Sequence, residues 1–263
     1  MMFCMEQFKS DLIPFAIEDL RESHISKTKR PGKLFEAASL PNKIIRSEGV
    51  DELSHKHGDR IETSELVEDA RRLYRELQDE YTINAPVKFY TGNDIDNNQV
   101  VYSVVDKIEG KHFDKVQISD EFVSKAEGLY ASVSRYFLDK QNDDGLHLWD
   151  ICGQSQYVYG RRSGEQEDRI FLIDTDIWLS KSKAGLYLCV EWLTRHMTGV
   201  EGHLKVKFIE ARDNIAQFVS LPLPENLSDF ERENIGVNID HINDFLNGKK
   251  LGPSPKTAIP PFE

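Results

Sequence analysis

Two acids, and the amides between them, are the residues of this chain whose types and spacing could do chemistry. In LHLWDICGQSQYVYGRRSGEQEDRIFLIDTDIW (residues 146–178), Asp150 closes a His-x-x-Asp run at the end of a helical pattern. A strand-like stretch, QYVYG, follows. A polar hairpin then leads to a second strand, IFLID, which ends in Asp174, with Asp176 two residues on. Gln154, Ser155 and Gln156 supply amide and hydroxyl groups in between. Acid, amide, hairpin, strand, acid is an order that lets two side chains converge on a metal–phosphate group from adjacent strands, as phosphoryl transfer requires. Taken singly, Asp150 is a common helix-terminal acid, and Asp174 and Asp176 are ordinary turn formers at a strand exit. Only the order carries the chemical reading.

The elements that must position these groups follow from periodicity. Residues 24–47 predict strands and turns: a turn at Pro31–Gly32, an alternating run around Leu34–Ala38, a turn at Pro41–Asn42 and a short apolar strand, KIIR. Residues 48–62 read as a polar loop. From Ser64 the spacing of Leu66, Ala70, Leu73, Leu77 and Tyr81 is helical. Pro86 opens a strand in PVKFY, and QVVYSVVDKI is a Val-rich strand ended by Gly110. Helical spacing returns over Phe122–Asp139 and Gly185–Met197, and Ser228-x-x-Glu231 is a capping box before a further helix. The expected class is α+β, with a small N-terminal β-rich lobe containing one helix (1–109). A larger, mainly helical lobe with an inserted β-hairpin (110–263) follows.

Composition narrows the partners. Apolar residues make up 39 % of the 263 positions and aromatics 10 %, enough for a folded core. Lys plus Arg number 33 against 45 Asp plus Glu, a net charge of −12, which argues against sequence-independent binding to nucleic acid or to an anionic membrane. Three scattered cysteines form neither a metal-ligand pattern nor a disulfide framework. The start, MMFCMEQF, lacks the basic flank of a signal peptide, and no apolar run approaches the ~18–20 residues of a membrane span. The expected compartment is cytoplasmic.

The element order, with the residues at its joins, resembles the protein-kinase-like superfamily over roughly residues 24–197. It stands nearer to aminoglycoside phosphotransferase- and choline-kinase-like enzymes than to eukaryotic protein kinases. GKLFEAASLPNKIIR resembles the end of the nucleotide-covering hairpin and the third strand; VVYSVVDKIEG resembles the hinge strand, with Val105 in the gatekeeper place. HLWDICGQSQYVYG is similar to the catalytic loop, and IFLIDTD to the metal-binding strand. The resemblance implies ATP and Mg²⁺ as ligands. Asp106 and Ile108 would offer backbone groups to adenine, and Asp150 would accept the hydroxyl proton. Asp174, with Asp176 as a second candidate, would hold the metal together with Gln154 or Gln156.

The sequence departs from the family pattern in its first lobe. SKTKRPG keeps only Gly32 where the family places several glycines that let backbone amides approach phosphate. Arg46 stands in the place of the third-strand lysine, and its planar fork does not reproduce a point charge. The helix glutamate that would hold that cation has no match: Ala70 falls there, with Glu68 and Asp69 just upstream.

Other chemistry-bearing residues read as structural. His147 reads as a packed loop histidine, Cys152 has no partner base, and His55, His57 and Asp59 lie in a solvated loop. The basic run Lys27–Lys33 reads as a solvated hairpin. Three functional classes remain. One is ATP- and Mg²⁺-dependent phosphotransfer to a small-molecule or protein hydroxyl, with Arg46 neutralising phosphates. Another is a pseudokinase that binds or scaffolds. The last is an unrelated α+β interaction protein.

Overall fold

The computed structural model describes residues 12–23, 33–57, 62–142, 146–149, 151–249 and 251. Asp150, Asp59 and the Pro31–Gly32 turn lie outside the described residues, as do Lys27, Lys29 and Arg30. In chain order the strands and helices are β1 (Leu20–Glu22), β2 (Lys33–Ala37), β3 (Lys43–Gly49), α1 (Val50–His57), α2 (Thr63–Asp79), β4 (Val87–Asn93), β5 (Gln99–Asp106) and β6 (Ile108–His112). The second half holds α3 (Asp120–Asn142), β7 (His147–Leu148), β8 (Tyr157–Arg162), β9 (Arg169–Leu172), β10 (Leu179–Ser180), α4 (Lys183–Leu204), α5 (Ile209–Ser220) and α6 (Asp229–Leu246). The α+β class and its two-lobed order are therefore as the sequence predicts: sheet first, helices after.

The first sheet is antiparallel in the order β1-β2-β3-β5-β4. Its register sets Ile44 opposite Val105, Arg46 opposite Ser103 and Glu48 opposite Val101, and Val105 in turn opposite Val87. Successive side chains of a strand point to opposite faces and directly paired residues share a face. Ile45, Val100, Tyr102 and Val104 thus build an apolar cluster on one side, with Phe15 and Ala37. The other side carries Ile44, Arg46, Glu48, Ser103 and Val105. On that side Phe89 and Val101 join the main core with Leu66, Ala70, Leu73 and Leu77 of α2. The alternation that makes the sheet amphipathic therefore also brings Arg46 and Glu48 to its inner face.

After Lys107 the chain changes sheet: β6 pairs with β8, and β8 with β9. Gly110 does not end a strand, as its residue type suggested; it sits inside β6, directly opposite Gly160 of β8. A Cβ on Gly110 would lie 2.2 Å from the carbonyl oxygen of Tyr159, and one on Gly160 2.3 Å from that of Glu109. Two glycines here let the strands cross closer than side chains permit, a role a turn reading cannot see.

Three further elements depart from expectation. Residues 50–57 are a helix rather than a loop: Leu53 is buried, and Asp51 and Glu52 occupy the first turn, where the helix dipole favours acids. α2 stops at Asp79, and Tyr81 lies beyond it with its hydroxyl bonded to Asp139 at 2.8 Å. α5, with buried Ala211, Ile215 and Phe218, packs on α3. Two helix starts are capped by side chains. Ser182 caps α4 by accepting from Gly185, and Ser228 and Glu231 form the expected capping box of α6. Among the described residues no helix is long and apolar enough to cross a membrane.

Candidate functional site

The inner face of the first sheet meets the segment after β9 at a cluster of charges. Arg46 donates from Nη1 to Asp174 Oδ1 at 2.9 Å, although 128 residues separate the two. Its Nη2 pairs with Asp176 and lies 3.9 Å from Glu48 Oε1. All four side chains are largely withdrawn from water, from 4 % exposed for Glu48 to 21 % for Asp176. One guanidinium and three carboxylates sum to a formal charge of −2. An arrangement of this kind is stable only where geometry and further hydrogen bonds repay the cost of desolvation.

Those further bonds come from three elements. The Tyr74 hydroxyl, on α2, donates to the backbone carbonyls of Asp176 at 2.9 Å and Asp174 at 3.3 Å. Burial and the neighbouring Asp174 carboxylate push the Tyr74 phenol well above its ordinary value, so it stays a donor. From β5, Ser103 Oγ meets Thr175 Oγ1 at 2.8 Å, with both residues buried. Glu48 accepts from the Ile177 amide at 3.4 Å, and the Asp176 amide donates to Asp174 Oδ1 at 3.3 Å, closing an Asx-type turn. Every residue from Asp174 to Ile177 is therefore tied to the sheet or to α2.

The amides part company. Gln156, buried in the 3₁₀ turn Gln154–Gln156, accepts from the Gly153 amide at 3.0 Å and shares a recess with Tyr74, Asp174, Asp176 and Trp178. That recess encloses about 10 Å³, room for roughly one water. Gln154 turns to a different recess, with Phe113, Phe122 and Leu204. Of the two glutamines the sequence offered, Gln156 is the one beside the acids.

Val105, Asp106 and Ile108 lie together where the chain leaves the first sheet. Val105 packs with Ala85 and Phe171, flanked by Ile44, Val87 and Ile108, in one apolar cluster. The Asp106 carboxylate pairs with Lys43 and with Arg162, the latter at 3.4 Å.

Neither Glu68 nor Asp69 reaches Arg46. They pair with Arg71 and Arg72, one turn along α2, and Ala70 is wholly buried. The acid beside Arg46 is instead Glu48, two residues along the same strand. The sequence does contain that signal, because residues two apart on a strand share a face. Tyr74 carried only a helical-core signal, and the Ser103–Thr175 pair carried none. His147 is buried in the short β7–β10 ladder, opposite Ser180. Cys152 is buried, with its thiol 3.2 Å from the Cys189 carbonyl.

Hard oxygen donors beside excess negative charge suit Mg²⁺. Among the described residues no group of three or more His, Cys, Asp and Glu side chains is placed to hold a metal by itself. This ion commonly needs only one or two carboxylates, with water and phosphate completing its shell, so the donor set fits.

No family model matches the chain, and no curated protein matches it. Among solved structures it is similar to the crystal structure of WbdD, at 13 % identity and a TM-score of 0.32, over 80 % of this chain and 48 % of that one. The chain thus spans about half the length of that structure.

Proposed function

We propose that this chain is a divergent kinase-like protein whose Arg46–Asp174–Asp176 centre takes the phosphates of ATP with Mg²⁺ and passes the terminal phosphoryl group to a hydroxyl. The observation that carries this reading is the convergence of Arg46, Asp174, Asp176 and Gln156 at one place. They come from three separate segments, each given its role through the kinase-like resemblance. In this reading residues 1–109 and 110–263 are the two lobes, and the apolar cluster around Val105, next to the backbone of Asp106 and Ile108, receives the base.

The residues divide the work as follows. Asp174 and Asp176, with Gln156, would hold Mg²⁺, which when bound supplies electrostatic stabilisation of phosphate charge. Arg46 exchanges its carboxylate partners for phosphate oxygens, which suit the same planar fork. Tyr74, Ser103 and Thr175 fix the backbone from which both acids project. Asp150 orients the acceptor. The acceptor oxygen bonds to the terminal phosphorus, the bond to ADP breaks, and the proton leaves to Asp150. Positioning and electrostatics dominate such a reaction.

One observation favours a second reading, a pseudokinase that binds or scaffolds. The Arg46 guanidinium already engages both acids, and the recess beside them holds about 10 Å³. A permanent clamp of this kind joins the sheet to the segment after β9 and leaves nothing to transfer. Mg²⁺-dependent release of phosphate from ATP, with water as acceptor, separates the two. Turnover that disappears in both Asp150→Asn and Asp174→Asn supports transfer. ATP binding without turnover leaves the scaffold, and the absence of both removes the kinase-like reading.

A further inference from the structure

The seam between α4 and α6 holds polar groups that the charge cluster does not touch. Glu191 on α4 and Asn238 on α6 are 0 % and 1 % exposed. The other buried residues of α6, Ile235, Ile242 and Phe245, are apolar. Arg195 ties the seam at one level: its Nη2 lies 3.0 Å from His241 Nδ1, and its Nε donates to Glu191 Oε1. His241 Nδ1 is also 3.2 Å from Glu191 Oε1. Further along, Gly202 and Lys205 share a recess with Phe245 and Gly248, so the two helices run in the same direction. Glu191 stands one turn before Arg195, and Asn238 one turn before His241. On parallel helices that sets Glu191 opposite Asn238, because residues three or four apart share a helix face. The two face each other without bonding. Glu191 Oε2 and both ends of the Asn238 amide, Oδ1 and Nδ2, are buried with no hydrogen-bond partner among the described residues. In a dry seam each would carry an uncompensated desolvation cost.

We infer that bound water joins α4 to α6 at this point. One molecule accepts from Asn238 Nδ2 and donates to Glu191 Oε2, and a neighbouring one donates to Asn238 Oδ1. Buried polar groups that face one another beyond direct hydrogen-bond reach are ordinarily bridged in this way. The chemistry of the groups selects the occupant. They offer a donor and two acceptors, and water serves both roles within a small volume. A cation would satisfy the two oxygens but leave the Nδ2 hydrogens pointing at positive charge, and Arg195 already balances the Glu191 carboxylate. An anion would be repelled by that carboxylate. The waters hold α6 against α4 by directed bonds, where Ile235, Ile242 and Phe245 supply burial. This hydration site is independent of the kinase-like reading.

NMR and melting curves on the full chain test the site. In isotope-labelled wild type, the Asn238 side-chain amide protons should show NOE and ROE cross-peaks to water with opposite signs. That sign pattern marks a water that tumbles with the protein. Relaxation dispersion of the water oxygen, which proton exchange does not mimic, should lose the amplitude of at least one internal water in Asn238→Leu. The same variant should melt a few degrees below the wild type, because it expels water and strands Glu191 Oε2. Exchanging Na⁺ for K⁺ or choline at equal ionic strength should leave both melting temperatures unchanged. Absence of the wild-type cross-peaks overturns the site, and that measurement needs no variant to fold. So does a rise in melting temperature for Asn238→Leu, the result expected when an unpaired amide in a dry seam is replaced by an apolar group. A melting temperature that follows the cation overturns water in favour of an ion.

Discussion

Arg46 is the residue on which the site turns. Its guanidinium stands among Glu48, Asp174 and Asp176, and removing one partner of a buried ion pair costs far more than the pair itself contributes. Arg46→Met should therefore destabilise the protein by about 3–5 kcal/mol in chemical denaturation. Because Asp174 and Asp176 then lose their cation, millimolar Mg²⁺ should recover part of that loss. Recovery by Na⁺ at equal ionic strength would show general screening instead of a metal site. At this scale the sequence was legible where chemistry and register coincide. Arg46, Asp174 and Asp176 stood out by type and place, and they meet. Glu48 escapes a reading by the family pattern, which puts the acid on α2 and not two residues along the strand. Gln154 and Gln156 could not be told apart, since a 3₁₀ turn sends neighbouring side chains in directions that spacing does not encode.

Between elements, specificity comes from small contacts at close approaches. Ser103 on β5 and Thr175 after β9 bond hydroxyl to hydroxyl in a buried place. Replacing one leaves the other unsatisfied, so Ser103→Ala or Thr175→Val should each cost about 1–3 kcal/mol. The double replacement should cost clearly less than the sum, and strict additivity would mean that the bond contributes nothing. Gly110 and Gly160 make the second close approach. Gly110→Ala should destabilise by about 1–3 kcal/mol through forced separation of β6 and β8, visible as a lowered melting temperature. These features were hidden in the sequence for a common reason. A glycine in a strand looks like a turn, a serine in a Val-rich strand looks like a solvent-facing position, and both meanings depend on the strand that arrives opposite. Helix ends, by contrast, are local, and the capping box at Ser228 could be read directly.

Across the whole molecule, buried tyrosines set an upper pH limit. Burial raises the phenols of Tyr74, Tyr130 and Tyr136 above the ordinary 10.0 and pushes Tyr187 up to about 12. A group whose folded pKa exceeds its unfolded value gives stability that is complete below the unfolded value and lost as pH climbs through the folded one. Stability should hold steady up to about pH 10 in this respect and then fall steeply, with tyrosinate absorbance appearing together with loss of helical circular dichroism. Tyrosinate appearing well before unfolding would mean that these rings are not buried. The α+β class was legible at this scale because periods of two and of about 3.6 dominate different halves of the chain.

The decisive property of the Arg46–Asp174–Asp176 centre is whether it takes a nucleotide with its metal. The most direct measurement is thermal stability of the full chain with ATP, with and without Mg²⁺, in the wild type and in Asp174→Ala. At a concentration of 100 times the dissociation constant, binding should stabilise the wild type by about 2.7 kcal/mol, a shift of several degrees. That shift should need Mg²⁺ and vanish in Asp174→Ala. No shift with any nucleotide, or one that Asp174→Ala leaves intact, would contradict the assignment.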